Sequence, residues 1–210
     1  MAVAELRCFL AGSFICIHGG AKVPAKAVAR ADQRKPRRRL NIEDESVRVF
    51  LEPSSARKRE LQERLTAELP QWFGQPESNA KYAKLAEVID GYIAESDGVR
   101  RGLLLLKYHG RTSAEIYWMG VAPAYHRQGV GRSLMKAAID DACKRGVRYL
   151  FVATLHPDVA YEPFLRTRRF YEAMGFEYVH EEHFTADPEN PIAHYLKPLQ
   201  SLRQIRDEPR

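Results

Sequence analysis

A strand, a glycine turn, a helix and a second strand follow one another between residues 114 and 154, and this order constrains the fold more than any other feature. The run AEIYWMGVA at 114–122 has the apolar and aromatic content of a strand, and YLFVAT at 149–154 is a second one. Between them, a helical pattern over 129–145 ends at Gly146, a common C-cap residue. Two strands joined by one helix form a parallel βαβ unit with a right-handed crossover. The sequence therefore predicts an α/β domain with a parallel pair of strands at its centre.

Shorter elements surround this unit in the chain. Apolar periodicity and breaker residues predict a strand, two helices and a β-hairpin before it, and a short helix and two strands after it. The predicted elements are a strand at 47–51, a helix carrying Leu61, Leu65 and Leu69 that Pro70 ends, a helix carrying Tyr82, Leu85, Ala86 and Ile89, a hairpin that turns at 96–98, a helix at 167–174, a strand at 177–182, an acidic loop with Pro188 and Pro191, and a strand at 193–197.

The net charge of +6 is concentrated at one end of the chain. Residues 1–40 hold nine basic and two acidic side chains, and the remaining residues hold 24 basic and 27 − 2, that is 25, acidic ones. A basic nucleic-acid-binding domain is therefore not expected, and nucleic acid could bind only through the tail. We predict a disordered basic tail or over-extended start at 1–40, one folded domain at 41–199 and a polar tail at 200–210.

The three cysteines, Cys8, Cys16 and Cys143, are too few and too scattered for a disulfide framework. The longest apolar run, at 8–17, is about ten residues, whereas a membrane-spanning helix needs about 20. That run could alternatively be the core of a signal peptide, although no good cleavage site follows it. The expected location is the cytoplasm, with no membrane partner.

The turn between the first strand and the helix contains Gly129 and Gly131. Backbone amides at a helix N-terminus form a cradle for a phosphate, and glycine lets a ligand approach without a Cβ in the way. Arg127 and Arg132 add positive charge on either side. A dinucleotide fingerprint would need a third glycine where Leu134 stands, and a P-loop would need Gly-Lys-Ser/Thr, which does not occur. A nucleotide-type ligand is predicted, and a simple tight turn is the alternative.

Two motifs resemble the GNAT family of acetyl-CoA-dependent N-acetyltransferases. The first is AEIYWMGVAPAYHRQGVGRSLM at 114–135, and the second is FYEAMGF at 170–176. The resemblance covers about residues 46 to 198 and implies a mixed, mostly antiparallel sheet with a central parallel βαβ unit flanked by helices. Two departures are His126, where the family usually has Gln or Arg, and Leu155 and His156, where many members have Asn after the second parallel strand.

The resemblance also implies a binding site for acetyl-CoA as co-substrate, with no metal. In the family, the end of the first parallel strand pairs with the pantetheine arm, and the glycine loop surrounds the pyrophosphate. The residues of this chain at those positions are Met119, Gly120 and Val121 in the strand, and Arg127, Gln128, Gly129, Val130, Gly131 and Arg132 in the loop.

Glu115 is the candidate base. An amine has a pKa of about 10.4 and must lose a proton before it attacks a thioester, which a carboxylate or a water chain held by one can promote. With period two, Glu115 should share a face with Tyr117, Met119 and Val121. The resemblance matches Glu115 to the catalytic glutamate of histone-modifying members. A solvated or paired glutamate at a strand start is the alternative.

Tyr171 is the candidate acid. A departing thiolate has a conjugate acid with a pKa of about 8.5, and a phenol with a pKa of about 10 can supply its proton. The resemblance places Tyr171 of the second motif in this role. Packing alone is the alternative, as expected for Phe170.

The sequence therefore predicts an acyltransferase that acetylates a primary amine, with a small molecule as the expected acceptor and a homodimer as a possible assembly. A protein or peptide acceptor, and a non-catalytic acetyl-CoA-binding or partner-binding module, are the alternatives. Substrate choice is expected in residues 72–82, 156–166 and 181–195. Their acidic side chains, which suit a cationic amine or a solvated loop equally well, are Glu162, Glu181, Glu182, Asp187 and Glu189. His180 and His183 should point to opposite faces of a strand, so no metal site with His156 is expected.

Overall fold

A computed structural model describes residues 47–185 and 187–199. Predictions about residues 1–46, among them the basic tail, and about residues 200–210 lie outside the described residues. The described elements are β1 (Arg48–Leu51), α1 (Ser55–Glu68), α2 (Pro76–Val88), β2 (Asp90–Ser96), β3 (Val99–His109), β4 (Ser113–Val121), a 3₁₀ turn (Pro123–Tyr125), α3 (Val130–Lys144), β5 (Tyr149–Leu155), α4 (Glu162–Ala173), β6 (Glu177–Phe184) and β7 (Asp187–Pro198).

The seven strands form one sheet in the order β1-β2-β3-β4-β5-β7-β6. Every neighbouring pair is antiparallel except β4 and β5, which are parallel and joined by α3. This is the predicted α/β fold, mostly antiparallel around a central βαβ unit, and it is confirmed.

Local chemistry explains where the helices begin and end. The Ser54 side chain caps α1 by accepting a hydrogen bond from the backbone N–H of Arg57. After α3 the chain turns at Gly146, whose φ of 82° suits glycine. Helix α4 begins at Glu162, five residues before the predicted start, because Pro163 fits the first turn of a helix as well as it breaks one.

Strand β7 also begins earlier than predicted, so the expected acidic loop is largely strand. Pro188 and Pro191 lie within β7, although the sequence suggested a loop there. Proline removes an N–H donor but keeps its carbonyl acceptor. The Pro191 carbonyl accepts a hydrogen bond of 2.8 Å from the backbone N–H of His156, so this strand uses proline where only an acceptor is required.

The sheet has apolar packing on both faces, and neighbouring leucines of β3 point in opposite directions. The side covered by the first two helices, here the α1–α2 face, holds Leu61, Leu65, Tyr82, Ala86, Ile93, Leu103, Leu105, Tyr117, Trp118 and Ala122. The opposite side, here the α3–α4 face, includes Leu104, Leu106, Ala114, Ile116, Leu134, Met135, Ala138, Leu150, Val152, Tyr171, Phe176 and Tyr195. None of the described helices has the length and apolar character that crossing a membrane requires.

Candidate active site

A β-bulge in β4 sets the direction of the candidate site residues. Leu105 pairs with Trp118 and Leu106 pairs with Ile116, so Tyr117 is an extra residue in the strand. A bulge interrupts the alternation of side chains between the two faces of a sheet. The residues before and after Tyr117 therefore follow different alternations.

The prediction that Glu115, Tyr117, Met119 and Val121 share one face is wrong beyond the bulge. Glu115 lies between two residues of the α3–α4 face and thus projects from the α1–α2 face, where Tyr117 also packs. Met119 and Val121 pack against the α3–α4 face. Strict alternation failed because one residue was inserted into the strand.

The two central strands separate just after Glu115. Pairing between β4 and β5 joins 113–115 to 149–151, and the described residues show no pairing between these strands beyond that point. On its other side β4 stays paired with β3 as far as Val121. The β5-facing backbone of 116–121 is thereby left without a neighbouring strand. An extended ligand arm could pair there, as the family resemblance implies for Met119, Gly120 and Val121.

The glycine loop brings the start of α3 to this opening. Gly129 is the N-cap residue, has a φ of 86°, and offers no side chain to cap the helix. A Cβ on Gly131 would lie 3.2 Å from the Met119 methyl carbon and 3.6 Å from the Phe170 ring. The uncapped first turn of α3 thus adjoins both β4 and α4. Its unused amides and partial positive charge fit a pyrophosphate group.

Polar side chains brace the loop from within. His126 donates through Nε2 to the Val121 carbonyl at 2.7 Å, and Gln128 donates to the Ala124 carbonyl at 2.8 Å. Arg127 has a φ of 65°, an uncommon conformation for a residue with a Cβ. The loop shape therefore uses the His126 side chain, which replaces the residue usual in the family, and leaves Arg127 and Arg132 exposed.

Glu115 is completely buried and paired with a residue that the sequence did not reveal. Its Oε2 atom lies 2.8 Å from Nε2 of His109 at the end of β3. The turn between β3 and β4 sets His109 opposite Ser113, and this brings the imidazole diagonally across to Glu115. The register of the β3–β4 hairpin determines this pair. The sequence alone does not give that register, because the length of the turn is not evident from it.

Tyr171 is buried on the α3–α4 face. Its ring makes edge contacts with Phe170 and Phe176, each with centroids 5.6 Å apart. Burial raises the pKa of its hydroxyl above the ordinary value of a tyrosine. Tyr171 therefore keeps its proton at neutral pH. The structure does not bring Glu115 and Tyr171 into contact, since they lie on opposite faces of the sheet.

The end of β5 and the start of α4 are tied to their surroundings by hydrogen bonds. The buried Arg168 donates to the Leu155 carbonyl at 2.9 Å, and the Trp72 indole donates to the Thr167 hydroxyl at 3.1 Å. These bonds fix α4, and with it Tyr171, against β5 and the loop before α2.

A second polar cluster lies beyond the end of β5, in segments where substrate choice was expected. Glu181 accepts hydrogen bonds from Tyr178 at 2.7 Å and from His156 at 2.7 Å, and its other oxygen lies 3.3 Å from His183. The bond from Tyr178 and then that from His183 lower the pKa of Glu181. Within residues 47–185 and 187–199, no three His, Cys, Asp or Glu side chains are grouped as a metal ion would require.

Comparison with known proteins agrees with this geometry. Residues 89–178 match the family model described as acetyltransferase (GNAT) domain. That stretch contains Glu115, the glycine loop and Tyr171. No curated protein matches the chain in sequence.

Solved structures with low sequence identity share the fold. A GNAT-family acetyltransferase from Desulfovibrio desulfuricans has a TM-score of 0.63 at 21% identity, over 73% of this chain and 100% of that chain. The ribosomal-protein-S18-alanine N-acetyltransferase from Escherichia coli has a TM-score of 0.57 at 19% identity, over 73% and 95%. An aminoglycoside 6'-N-acetyltransferase complexed with coenzyme A has a TM-score of 0.54 at 15% identity, over 72% and 97%.

The family match and the fold together confirm the predicted enzyme class and co-substrate. Residues 89–178 form an acetyltransferase domain of the GNAT family, whose members are acyltransferases with acetyl-CoA as co-substrate.

Proposed function

We propose that the protein transfers an acetyl group from acetyl-CoA to a primary amine of a small molecule. The observation that carries this proposal is the position of a buried carboxylate, Glu115, and a buried phenol, Tyr171, on opposite faces of a sheet whose central strands separate beside Glu115. An uncapped helix N-terminus adjoins the same opening.

Acetyl-CoA would be held by backbone more than by side chains. The amides of the first turn of α3, from Gly129 to Arg132, would bind the pyrophosphate, and Arg127 would add charge. The unpaired edge of 119–121 would hold the extended arm. Within that edge, packing requires glycine at position 120, because a Cβ there would lie 2.5 Å from the Trp118 ring. The co-substrate supplies an acetyl group activated as a thioester.

Glu115 would promote removal of the acceptor's proton on the α1–α2 face. The carboxylate is buried and already accepts from His109, so its charge is fixed in position before a substrate arrives. In a site with little water, burial disfavours both the carboxylate and the ammonium, so transfer of the ammonium proton toward this pair neutralises buried charge.

Tyr171 would supply a proton to the departing sulfur on the α3–α4 face. Its raised pKa means that the phenol is protonated when needed. The same burial disfavours a thiolate beside it, so the sulfur gains proton affinity as its bond to the acetyl carbon breaks.

The acceptor class is proposed from a charge at the end of β5, the strand that borders the opening. Glu181 is held ionised by Tyr178 and His183, and 43% of its side chain is exposed. An exposed, fixed carboxylate suits a cationic amine. The S18-alanine enzyme acts on a protein and the aminoglycoside enzyme on a small molecule, so both acceptor types occur on this fold. The small number of cysteines, three in the chain, is the ground for proposing a cytoplasmic site of action.

The test is release of free thiol from acetyl-CoA with a panel of polyamines, aminoglycosides, aryl amines and alanine-started peptides. Wild-type protein should acetylate at least one small amine, with the product identified by mass spectrometry. The double variant Glu115→Gln, Tyr171→Phe should bind acetyl-CoA and fail to transfer. Transfer to peptides alone would replace the small-molecule acceptor by a protein, and no transfer to any acceptor would overturn the proposal.

A further inference from the structure

Three residues meet where the central strands begin to separate. Glu115 and Phe151 form the last paired rung between β4 and β5. His109 joins them from β3, with its Nε2 2.8 Å from Glu115 and its ring centroid 5.3 Å from that of Phe151. The imidazole is therefore fixed by a hydrogen bond at one edge and an aromatic contact on one side.

The hydrogen bond defines the protonation pattern of this imidazole. A carboxylate can only accept, so Nε2 of His109 carries the proton that it donates to Glu115. The neutral ring then has its lone pair on Nδ1. This is the tautomer in which a histidine can take up a second proton and become an imidazolium beside a carboxylate.

The side chains of His109 and Glu115 differ in their exposure to solvent. The Glu115 side chain is 0% exposed, whereas that of His109 is 29% exposed. A proton from a substrate or from water can thus reach the imidazole more readily than the carboxylate. Lys107 pairs in register with Glu115, where its positive charge favours the ionised carboxylate, and β5 contributes the uncharged Phe151.

We infer that His109 is the proton-accepting half of a His109–Glu115 base, an inference that rests on the proposed acetyl transfer. The acceptor ammonium loses one N–H bond as an Nδ1–H bond forms on His109, which frees the lone pair on the acceptor nitrogen. The imidazolium stays hydrogen-bonded to Glu115 and then passes its proton to water. Glu115 is thereby a positioning residue that holds the tautomer and the charge.

Activity measurements on His109→Gln test the role of the ring. Glutamine can still donate to Glu115 but cannot take up a proton at neutral pH. We expect kcat/KM for the identified amine to fall by about 10² to 10⁴, with acetyl-CoA affinity unchanged. The remaining rate should rise with pH as the free amine becomes more abundant. His180→Gln, the same change at an exposed position in β6, is the matched control and should behave like wild type.

Chemical rescue tests the role of the proton acceptor directly. In His109→Ala, added imidazole should restore part of the lost rate, which a purely structural role would not allow. Circular dichroism and thermal melting identify any variant that fails to fold, and His109→Gln keeps the experiment interpretable if the alanine variant does.

A measurement without acetyl-CoA tests the geometry. Long-range ¹H–¹⁵N spectra of the histidine rings should show His109 protonated on Nε2 in wild type, with that preference lost in Glu115→Gln. Wild-type rates and pH dependence in His109→Gln would overturn this inference and leave the acetyl transfer standing. A ring protonated on Nδ1 would also overturn it, and absence of any amine acetylation by wild type would remove both proposals.

Discussion

The two faces of the sheet differ in how they treat polar groups. On the α3–α4 face the phenol of Tyr171 lies among aromatic rings, and the buried Arg168 donates to a backbone carbonyl. The α1–α2 face buries aliphatic and aromatic groups as well, but it also encloses Glu115, Gln62 and Lys58. The difference lies at the two candidate proton-transfer groups: aromatic rings keep the Tyr171 phenol neutral, whereas Glu115 is a buried carboxylate with a hydrogen-bond partner.

This contrast suits a reaction that moves protons in opposite directions. Burying a neutral hydroxyl costs less free energy than burying a charge, which requires a partner. Glu115 has His109, and Lys58 donates to the Ile89 carbonyl at 2.5 Å. The α1–α2 face therefore supplies hydrogen-bond partners for its buried charges, whereas Tyr171 on the α3–α4 face needs only surroundings that exclude water.

The largest expected effect is on the acid side. Tyr171→Phe removes one hydroxyl and keeps the contacts with Phe170 and Phe176, so stability and acetyl-CoA affinity should change little. Turnover should fall by about 10² to 10⁴, the usual contribution of a positioned general acid. The loss should appear in kcat and leave the KM for acetyl-CoA unchanged, as expected for an interaction made in the transition state.

Steady-state kinetics on the amine identified by the panel measure this effect. Phe170→Leu, which changes packing beside Tyr171 and leaves the hydroxyl, is the control and should retain kcat within a few fold. Wild-type kcat in Tyr171→Phe, with product release shown not to limit turnover, would assign Tyr171 to packing.

The next effect concerns the glycine loop between the two faces. Gly131→Glu directs a carboxylate toward Met119 and Phe170, into the opening beside the first turn of α3. Placing like charges together costs several kcal/mol, so acetyl-CoA affinity should fall by at least about 10²-fold while the circular dichroism spectrum stays native. Calorimetric titration measures the affinity. Gly131→Gln, of the same size without the charge, should lose less, and unchanged affinity in Gly131→Glu would make the loop a simple turn.

The sequence predicted the elements and motifs because their signals are local. Apolar periodicity identified α1 and the βαβ unit, and Gly146 marked the end of α3. The sequence analysis missed the early start of α4, which has Pro163 in its first turn, and the prolines inside β7. Proline is allowed at the start of a helix and wherever a strand needs only a hydrogen-bond acceptor.

The site was harder to predict than the elements because it depends on the pairing register of the strands. Glu115 and Tyr171 were selected by motif, but the bulge at Tyr117 reversed the direction of Met119. The partner of Glu115, His109, lies on another strand, and its position depends on the length of the intervening turn. Such pairings across strands leave no local pattern in a single sequence.

A smaller effect is expected on the free energy of unfolding, from a buried amide on the α1–α2 face. Gln62 is completely buried and donates to Thr66 at 2.7 Å, but its Oε1 atom has no hydrogen-bond partner among the described residues. It lines a groove of about 320 Å³ with Phe73 and Asn79. A buried acceptor without a partner costs about 1 to 3 kcal/mol. Gln62→Leu should therefore raise the free energy of unfolding by about 1 kcal/mol, since the Thr66 bond is lost as well.

Urea unfolding measures this change. The double variant Gln62→Leu, Thr66→Val removes both polar groups and should be at least as stable as the single variant. A loss of stability in Gln62→Leu would mean that the amide is needed on this face and would weaken the contrast between the two sides.

The smallest effect tests the exposed cluster on β6. The hydrogen bond to Glu181 is the main reason that the pKa of Tyr178 rises to about 12. The folded protein thus holds this proton more tightly than the unfolded chain, whose tyrosine pKa is about 10. The resulting stabilisation is fully present below about pH 10 and is lost as the pH rises toward 12. Because 46% of Tyr178 is exposed, solvent screening keeps the effect small.

Tyrosinate absorbance and urea unfolding between pH 9 and 12 follow this bond. Glu181→Gln should return the Tyr178 transition to lower pH and flatten the loss of stability, and Tyr178→Phe should remove both signals while kcat stays within a few fold of wild type. The same bond lowers the pKa of Glu181, so its contribution should also fade as acid protonates that carboxylate. An unchanged alkaline titration in Glu181→Gln would show that the cluster is not joined in solution, and Glu181 would then lose the fixed charge on which the cationic acceptor depends.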